Sequence, residues 1–362
     1  MRRFLVRFLL SLLVGAAFAY LAFRDMNWSA MSEAFVAADY WWLLPFFGCL
    51  AVVQVLRAWR WVFLLEPIAP EKPKTWRVLS VSWVGFMAII ALPLRLGEVV
   101  RPYLISDPVG RKGERLRMSA ALGTIAVERV VDGLVVSLFL IVVFVALESA
   151  GKGTTWMMAT GWTAIGVFGG AVVFLILAMW KPGLAVHTAL ILSLVGPLAR
   201  TGHPRLIWLR DRVAYVLDGI IQGFRTLGRP VLLAKYVAVS LVYWVFNGLS
   251  FYMAARAFHL GLPLSGALAV CGLVAIGITL PTGPALVGNF HEFGKLGLLL
   301  YLPKTEVLGS GMAFLVLVHG LQLVWYVGVG LIVLAGGWVS LRKVMEAAEK
   351  DGEELSHASD VR

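Results

Sequence analysis

The chain has 362 residues, of which 60% are hydrophobic and 15% charged, with 32 Lys and Arg against 21 Asp and Glu and a net charge of +11. Soluble domains carry about 25% charged residues, and apolar runs of near-span length recur here from end to end, which excludes a soluble globular protein and a disordered one. What remains is an all-α polytopic membrane protein, because helices satisfy their own backbone groups in lipid; an outer-membrane barrel needs alternating strands of roughly ten residues, and these runs are continuous.

The N-terminus reads Met-Arg-Arg and then runs apolar to Phe23, interrupted by Arg7. Ala17-Phe18-Ala19 resembles a signal-peptide cleavage site, but the stretch is nearly long enough to span and more spans follow. Six spans are expected, at residues 4–23, 41–63, 130–147, 161–180, 231–253 and 311–340. Two further apolar stretches, 78–92 and 263–280, each stop at a proline (Pro93 and Pro281). Both cysteines, Cys49 and Cys271, lie in apolar segments, so neither a disulfide framework nor a thiolate metal site is available. The basic excess fits anionic headgroups and cytoplasmic loops; no soluble basic module exists to bind nucleic acid, and no stretch is hydrophilic enough for a soluble catalytic domain.

Loop charges orient the spans. Arg2, Arg3 and Arg7 place the N-terminus inside; the loop 24–40, with Arg24 against Asp25, Glu33 and Asp39, lies outside. Arg57, Arg60, Lys72, Lys74 and Arg77 lie inside, as do Arg111, Lys112, Arg115 and Arg117. Residues 78–105 therefore enter and return on the same side. Fifteen helical residues reach about 22 Å, short of the roughly 30 Å hydrocarbon core, so a re-entrant hairpin turning near Pro93 is expected. In the second half, the nearly uncharged 148–160 lie outside, 181–229 with seven Lys and Arg against two Asp lie inside, and Arg342 and Lys343 end the chain inside. Residues 263–302 then start and finish outside and form a second hairpin, broken at Pro281 and Pro284. The order span, span, hairpin, span occurs twice with opposite orientation: a first repeat over 1–150, a second over 151–342, and a charged flexible tail over 343–362. Inverted repeats with interrupted segments at matching positions are a transporter design.

The charges cluster at these breaks. In Pro93-Leu-Arg95-Leu-Gly97-Glu98-Val-Val-Arg101, Pro93 breaks the helix and Gly97 allows close backbone approach. Arg95 and Arg101 are candidates to contact a phosphate, with Glu98 orienting one of them; the competing reading is a charged cytoplasmic loop. Glu128 and Asp132 share a helix face with Arg129 beside them. They read either as acids capping a helix N-terminus or, since that helix begins near Met118, as the second half of a buried ion-pair network with Arg95 or Arg101. In the second break, Gly288, His291 and Glu292 follow Pro284; His291 and Glu292 read as a polar lining, with His291 a candidate proton carrier, or as a histidine bonded to a neighbouring helix. His-Glu-x-x-His is absent, which rules out that zinc motif. His319 and Gln322 share a face of the last span and either close on His291 or bond across helices. Arg57, Arg60 and Trp61 read as interfacial anchors or as phosphate contacts. Gly166 and Gly170 form a small-xxx-small pair expected to mark internal packing. Residues 181–229, with Arg205, Arg210 and Arg212, read as a surface amphipathic helix or a solvated loop.

The ordered set Arg57-x-x-Arg60-Trp61, Pro93-x-Arg95-x-Gly97-Glu98-x-x-Arg101, Glu128-Arg129-x-x-Asp132, Pro281-x-x-Pro284-x-x-x-Gly288-x-Phe290-His291, and His319 with Gln322 resembles the flippase-like family that shares the transmembrane region of lysylphosphatidylglycerol synthases. The likeness covers nearly the whole chain; Ala285 departs from it, standing where the family usually has glycine after proline. It implies a protein that moves a polar-headed lipid between leaflets of the inner membrane, with a phospholipid or polyprenyl-linked lipid as partner, no cofactor, and in some members envelope-biosynthesis partners. The chain ends about twenty residues after the last span, so no aminoacyl-transferase domain is expected and synthase activity is not carried over. The alternative is an intramembrane enzyme or accessory protein of glycolipid biosynthesis, with Glu98 or Glu128 as base.

Overall fold

The computed structural model describes residues 2–91, 97–106, 116–149, 151, 155–181, 183, 186–187, 204–280 and 284–345. Pro93, Arg95 and Pro281 lie outside them. Every regular element among the described residues is helical. Helix α1 is Arg2–Phe23 and α2 is Trp28–Ala37, the latter begun by Asn27, whose side chain accepts from the Ala30 amide at 3.0 Å. Then come α3 (Leu43–Trp59), α4 (Trp61–Leu65), α5 (Thr75–Ala91), α6 (Gly97–Ser106), α7 (Met118–Ser149) and α8 (Thr155–Trp180). The remainder comprises α9 (Pro204–Gly223), α10 (Pro230–Ala257), α11 (Leu264–Gly277), α12 (Val287–Leu298) and α13 (Met312–Ala335).

Helices cover all six stretches expected to span. Four segments among the described residues are long and apolar enough to cross a membrane: Tyr40–Leu65, Met118–Ser149, Pro230–Ala257 and Lys304–Ala335. The described apolar parts of α1 and α8, Leu12–Phe23 and Ile165–Phe174, are shorter. The protein is thus an all-α, multi-pass membrane protein.

In each proline-limited stretch a short helix is followed by a second helix that packs back on it. The 17 residues of α5 and the 14 of α11 rise only about 25 and 21 Å. Helix α6 packs back on α5, and α12 on α11. Glycines set both approaches. A Cβ on Gly85 of α5 would stand 2.1 Å from the Arg101 side chain of α6, and one on Gly297 of α12 would stand 2.7 Å from the Val270 backbone of α11. Asn289 closes the neck of the second hairpin by donating to the Gly277 carbonyl at 3.0 Å. Gly288 lets α1 lie against α12, since a Cβ there would meet the Gly15 carbonyl at 2.4 Å.

The two halves pack reciprocally. Helices α3 and α10 lie together at the centre. Helix α5 packs on α13 and α11 on α7; α3 meets α5 and α10 meets α11; α6 meets α7 and α12 meets α13. The outer helices differ, α1 lying on α12 and α8 on α7.

The apolar side chains form two main cores. One gathers Phe46, Leu50 and Val53 of α3, Val135–Leu147 of α7, and Tyr243 and Trp244 of α10 with α11 and α13. The other gathers Trp61–Leu65, Val78–Ala88, Ile125 and Val127 of α7, and Tyr236 of α10. Residues 181–229 resolve in part as α9, which docks on the start of α7: Arg117 pairs with Asp218 at 3.1 Å. Gly166 and Gly170 do not mark internal packing as expected, because no atom of the described residues lies within 4 Å of a Cβ built on either; both are exposed on α8.

Helices α7 and α9 cross backbone to backbone, where a Cβ on Gly123 would stand 2.1 Å from the Ile220 carbonyl. Backbone cannot yield there as a side-chain tip can, so Gly123→Ala is expected to cost about 1–3 kcal/mol and lower the thermal unfolding midpoint in detergent. Gly166→Ala, with open space around it, is expected to leave that midpoint in place.

Candidate functional site

Between the two cores runs a seam of buried charge. On α7, Glu128 and Asp132 fall after Val127 and before Val135, the residues where the two cores end. On the first half, Arg60 stands at the junction of α3 and α4, between Val53 and Trp61; on α10, Ser240 falls between Tyr236 and Tyr243. The Arg60 guanidinium chelates Asp132, donating from Nη1 to Oδ1 at 2.5 Å and from Nη2 to Oδ2 at 2.7 Å. It also donates to Ser240 Oγ at 3.1 Å and reaches Glu128 at 3.5 Å. Arg101 of α6 chelates Glu128 from its two terminal nitrogens at 3.2 and 3.1 Å. Trp244 Nε1 adds a third donor to Asp132 at 3.0 Å. The side chains of Arg60, Arg101 and Glu128 are 0% exposed. Two parallel N–H···O bonds per pair, with further donors on the remaining lone pairs, are what lets charge sit in a low-dielectric interior.

Each arginine of the seam also lies over aromatic rings: Arg60 over Tyr243 at 4.5 Å and Arg101 over Trp61 at 4.3 Å. Trp61 is in turn fixed by its indole N–H, which donates to Thr124 at 2.9 Å.

A cavity of about 750 Å³ opens on this seam. Both hairpins line it: Phe86, Ile89, Ile90 and Glu98 from the first, Cys271, Val274, Ile278, Thr279, Leu286 and Phe290 from the second. Its charged wall is Arg57, Glu98, Arg129 and Asp132, and Arg129 lies 3.2 Å from Glu98. Tyr243, Asn247, His319 and Gln322 add polar groups. The rest of the wall is apolar, so the cavity is amphipathic.

The structure therefore gathers Arg57, Glu98, Arg129, Asp132, His319 and Gln322 on one surface and puts Arg60, Arg101 and Glu128 directly behind it. The helix carrying the acids begins at Met118, so Glu128 and Asp132 are interior residues and not N-terminal caps. Arg60 is neither an interfacial anchor nor an open phosphate contact, because its edge is filled by Asp132. Glu128, not Glu98, chelates Arg101, and Glu98 pairs with Arg129; Arg95, the other arginine that Glu98 was expected to orient, lies outside the described residues.

His291 sits one ring back from the cavity. Its ring lies 5.0 Å from that of His319, which stacks on Phe290 at 4.3 Å, and its Nδ1 bonds the Val287 carbonyl. Glu292 is turned away from the seam, pairing at 2.6 Å with Lys295, whose ammonium also donates to the Leu21 carbonyl at 2.5 Å and so ties α12 to α1. Gly97 begins α6 and Pro284 begins the short turn before α12. In that turn Ala285 and Leu286 have φ of 54° and 63°, the left-handed region that favours glycine. The position where the resemblance expects glycine is thus one where the backbone asks for it. Phe86, Tyr243, Trp244 and Tyr326, which also line the cavity, were not legible as site residues: in a sequence with 20 Phe, 14 Trp and 9 Tyr nothing separates them from lipid-facing rings.

Fold and site together define a multi-pass helical membrane protein with a paired-charge seam and an amphipathic cavity between two broken hairpins. Residues 8–338 match the family model described as the lysylphosphatidylglycerol synthase TM region, and the chain belongs to that family. No curated protein and no solved structure matches it.

Removing one partner of a buried pair strands the other, at about 3–5 kcal/mol. Arg101→Met alone is therefore expected to lower the unfolding midpoint sharply, and Arg101→Met combined with Glu128→Gln to recover most of the loss. A double variant as unstable as the sum of the single ones would mean that the pair is not coupled.

Proposed function

We propose that the protein moves an anionic or polar-headed lipid between the leaflets of the cytoplasmic membrane, and that the cavity carries the headgroup. Family membership supports a membrane protein in lipid-related processes. The observation that carries the reading further is the cavity itself: a charged wall and an apolar wall meet in one space lined by both hairpins, which fits an amphiphile and not a soluble metabolite. Reciprocal packing supports an inverted repeat. Exchanging the first four spanning and hairpin units for the second four turns α5 on α13 into α11 on α7, and α6 on α7 into α12 on α13. With positive loops inside, both termini are cytoplasmic, six helices span, and the hairpins enter from opposite faces. Rocking of one repeat against the other then moves access from one leaflet to the other.

In this account Arg57, Glu98, Arg129 and Asp132 contact the headgroup, His319 and Gln322 complete the polar wall, and Arg60, Arg101 and Glu128 keep it in shape. The test is leaflet exchange of a fluorescent phosphatidylglycerol in proteoliposomes, read by dithionite quenching. Wild-type protein is expected to speed exchange well above empty liposomes. Ala275 lines the apolar wall of the cavity, and Ala275→Trp, which fills the space from that side, is expected to return exchange towards the empty-liposome rate while the protein still folds. Exchange by wild-type protein no faster than in empty liposomes would refute the reading.

A further inference from the structure

Three arginines stand together at the seam, and each has its guanidinium carbon over an aromatic ring: Arg60 over Tyr243 at 4.5 Å, Arg101 over Trp61 at 4.3 Å, and Arg57 over Phe86 at 4.0 Å. The N–H donors of a guanidinium lie in the plane of its fork, so it pairs through its edge. In Arg60 that edge is filled by the two oxygens of Asp132, and in Arg101 by the two oxygens of Glu128. Arg57 has neither an ion pair nor a hydrogen bond among the described residues. It is the one of the three that lines the cavity.

The charge balance of the wall leads the same way. Asp132 is taken up by Arg60, and Glu98 lies 3.2 Å from Arg129. The carboxylates that reach the cavity are thus matched by arginines, and Arg57 adds a positive charge that no carboxylate among the described residues pairs with. A cation at membrane depth is costly unless an anion joins it, and a planar fork suits a tetrahedral oxyanion that accepts two bonds at once. Ile89, Val136, Val274 and Ile278 extend the cavity away from Arg57 as an apolar wall, which fits the glycerol and upper chain carbons of a lipid.

We infer that Arg57 is the specificity-determining residue of the cavity, taking the phosphate of a phospholipid in the place that Asp132 and Glu128 occupy on its two neighbours. This rests on the lipid-carrying reading of the cavity but makes a separate claim: Arg57 grips the ligand, whereas Arg60 and Arg101 hold the fold.

The experiment measures equilibrium binding of radiolabelled phosphatidylglycerol to the full chain in detergent, so it needs no leaflet exchange. Unlabelled digalactosyl-diacylglycerol, which has chains and no phosphate, and glycerol phosphate, which has phosphate and no chains, serve as competitors. Phosphatidylglycerol is expected to bind, with neither competitor displacing it at equal concentration. Arg57→Gln is expected to weaken binding about tenfold or more, and Arg57→Lys, which keeps the charge but not the fork, to fall between the two. Arg210→Gln removes an exposed arginine paired with Asp211 and controls for net charge; it is expected to bind as wild type does. Melting curves of the variants separate loss of binding from loss of fold, and competition on wild-type protein needs no variant. Unchanged affinity in Arg57→Gln, equal displacement by the galactolipid, or displacement by glycerol phosphate alone would each overturn the inference. Arg57-dependent binding without leaflet exchange would sink the translocation reading and leave this one standing.

Discussion

Two arginine–carboxylate chelates, Arg60 with Asp132 and Arg101 with Glu128, set the terms for the rest of the molecule. Burying a lone ion costs several kcal/mol even after relaxation, so neither acid is stable at its place on α7 without its arginine. That condition fixes three distances at once. The α3–α4 junction must bring Arg60 to Asp132, α6 must bring Arg101 to Glu128, and α10 must present Ser240 and Trp244 to the same cluster. Apolar contacts above and below the seam are permissive by comparison, since hydrophobic packing tolerates sliding and a bidentate ion pair does not.

The hairpins follow from the same constraint. Arg101 reaches Glu128 because α6 leans on α5 with the arginine stem laid across Gly85, and α6 can lean there because the chain turns back after Ala91. In the second half the return is shaped by Asn289 bonding Gly277 and by the left-handed pair Ala285 and Leu286. That pair stores about 1–3 kcal/mol per residue. Helices that stop short leave space between their ends, and this space is the cavity. Its polarity is inherited from the seam that shaped it. On the proposed reading, a structural necessity, charge that must be paired at depth, also provides the surface that a headgroup meets.

Much of this was legible in the sequence. The lengths of the apolar runs anticipated that the helices Thr75–Ala91 and Leu264–Gly277 stop short, because run length against bilayer thickness is a one-dimensional property; Pro93 and Pro281 themselves lie outside the described residues. The spacing of Glu128 and Asp132 placed them on one face, and the start of their helix near Met118 argued against a capping role. Pairing was less legible. Arg60 meets Asp132 across 72 positions, and nothing in local spacing distinguishes it from Arg57, three residues away. Both end an apolar run near tryptophan, and only the three-dimensional placing of the α3–α4 junction against α7 buries one and leaves the other facing the cavity. The Gly166 and Gly170 pair misled for a related reason: small residues allow close packing but do not bring a neighbour. Glu292 likewise sat in the right segment but on the wrong face, where Lys295 claims it.

The most direct measurement is a density map of the full chain in nanodiscs of anionic phospholipid. The account predicts Arg60 and Arg101 chelated by Asp132 and Glu128 within the bilayer, with headgroup density against the open edge of Arg57. A map in which those four side chains lie in bulk water, with the space between the hairpins closed, would contradict it.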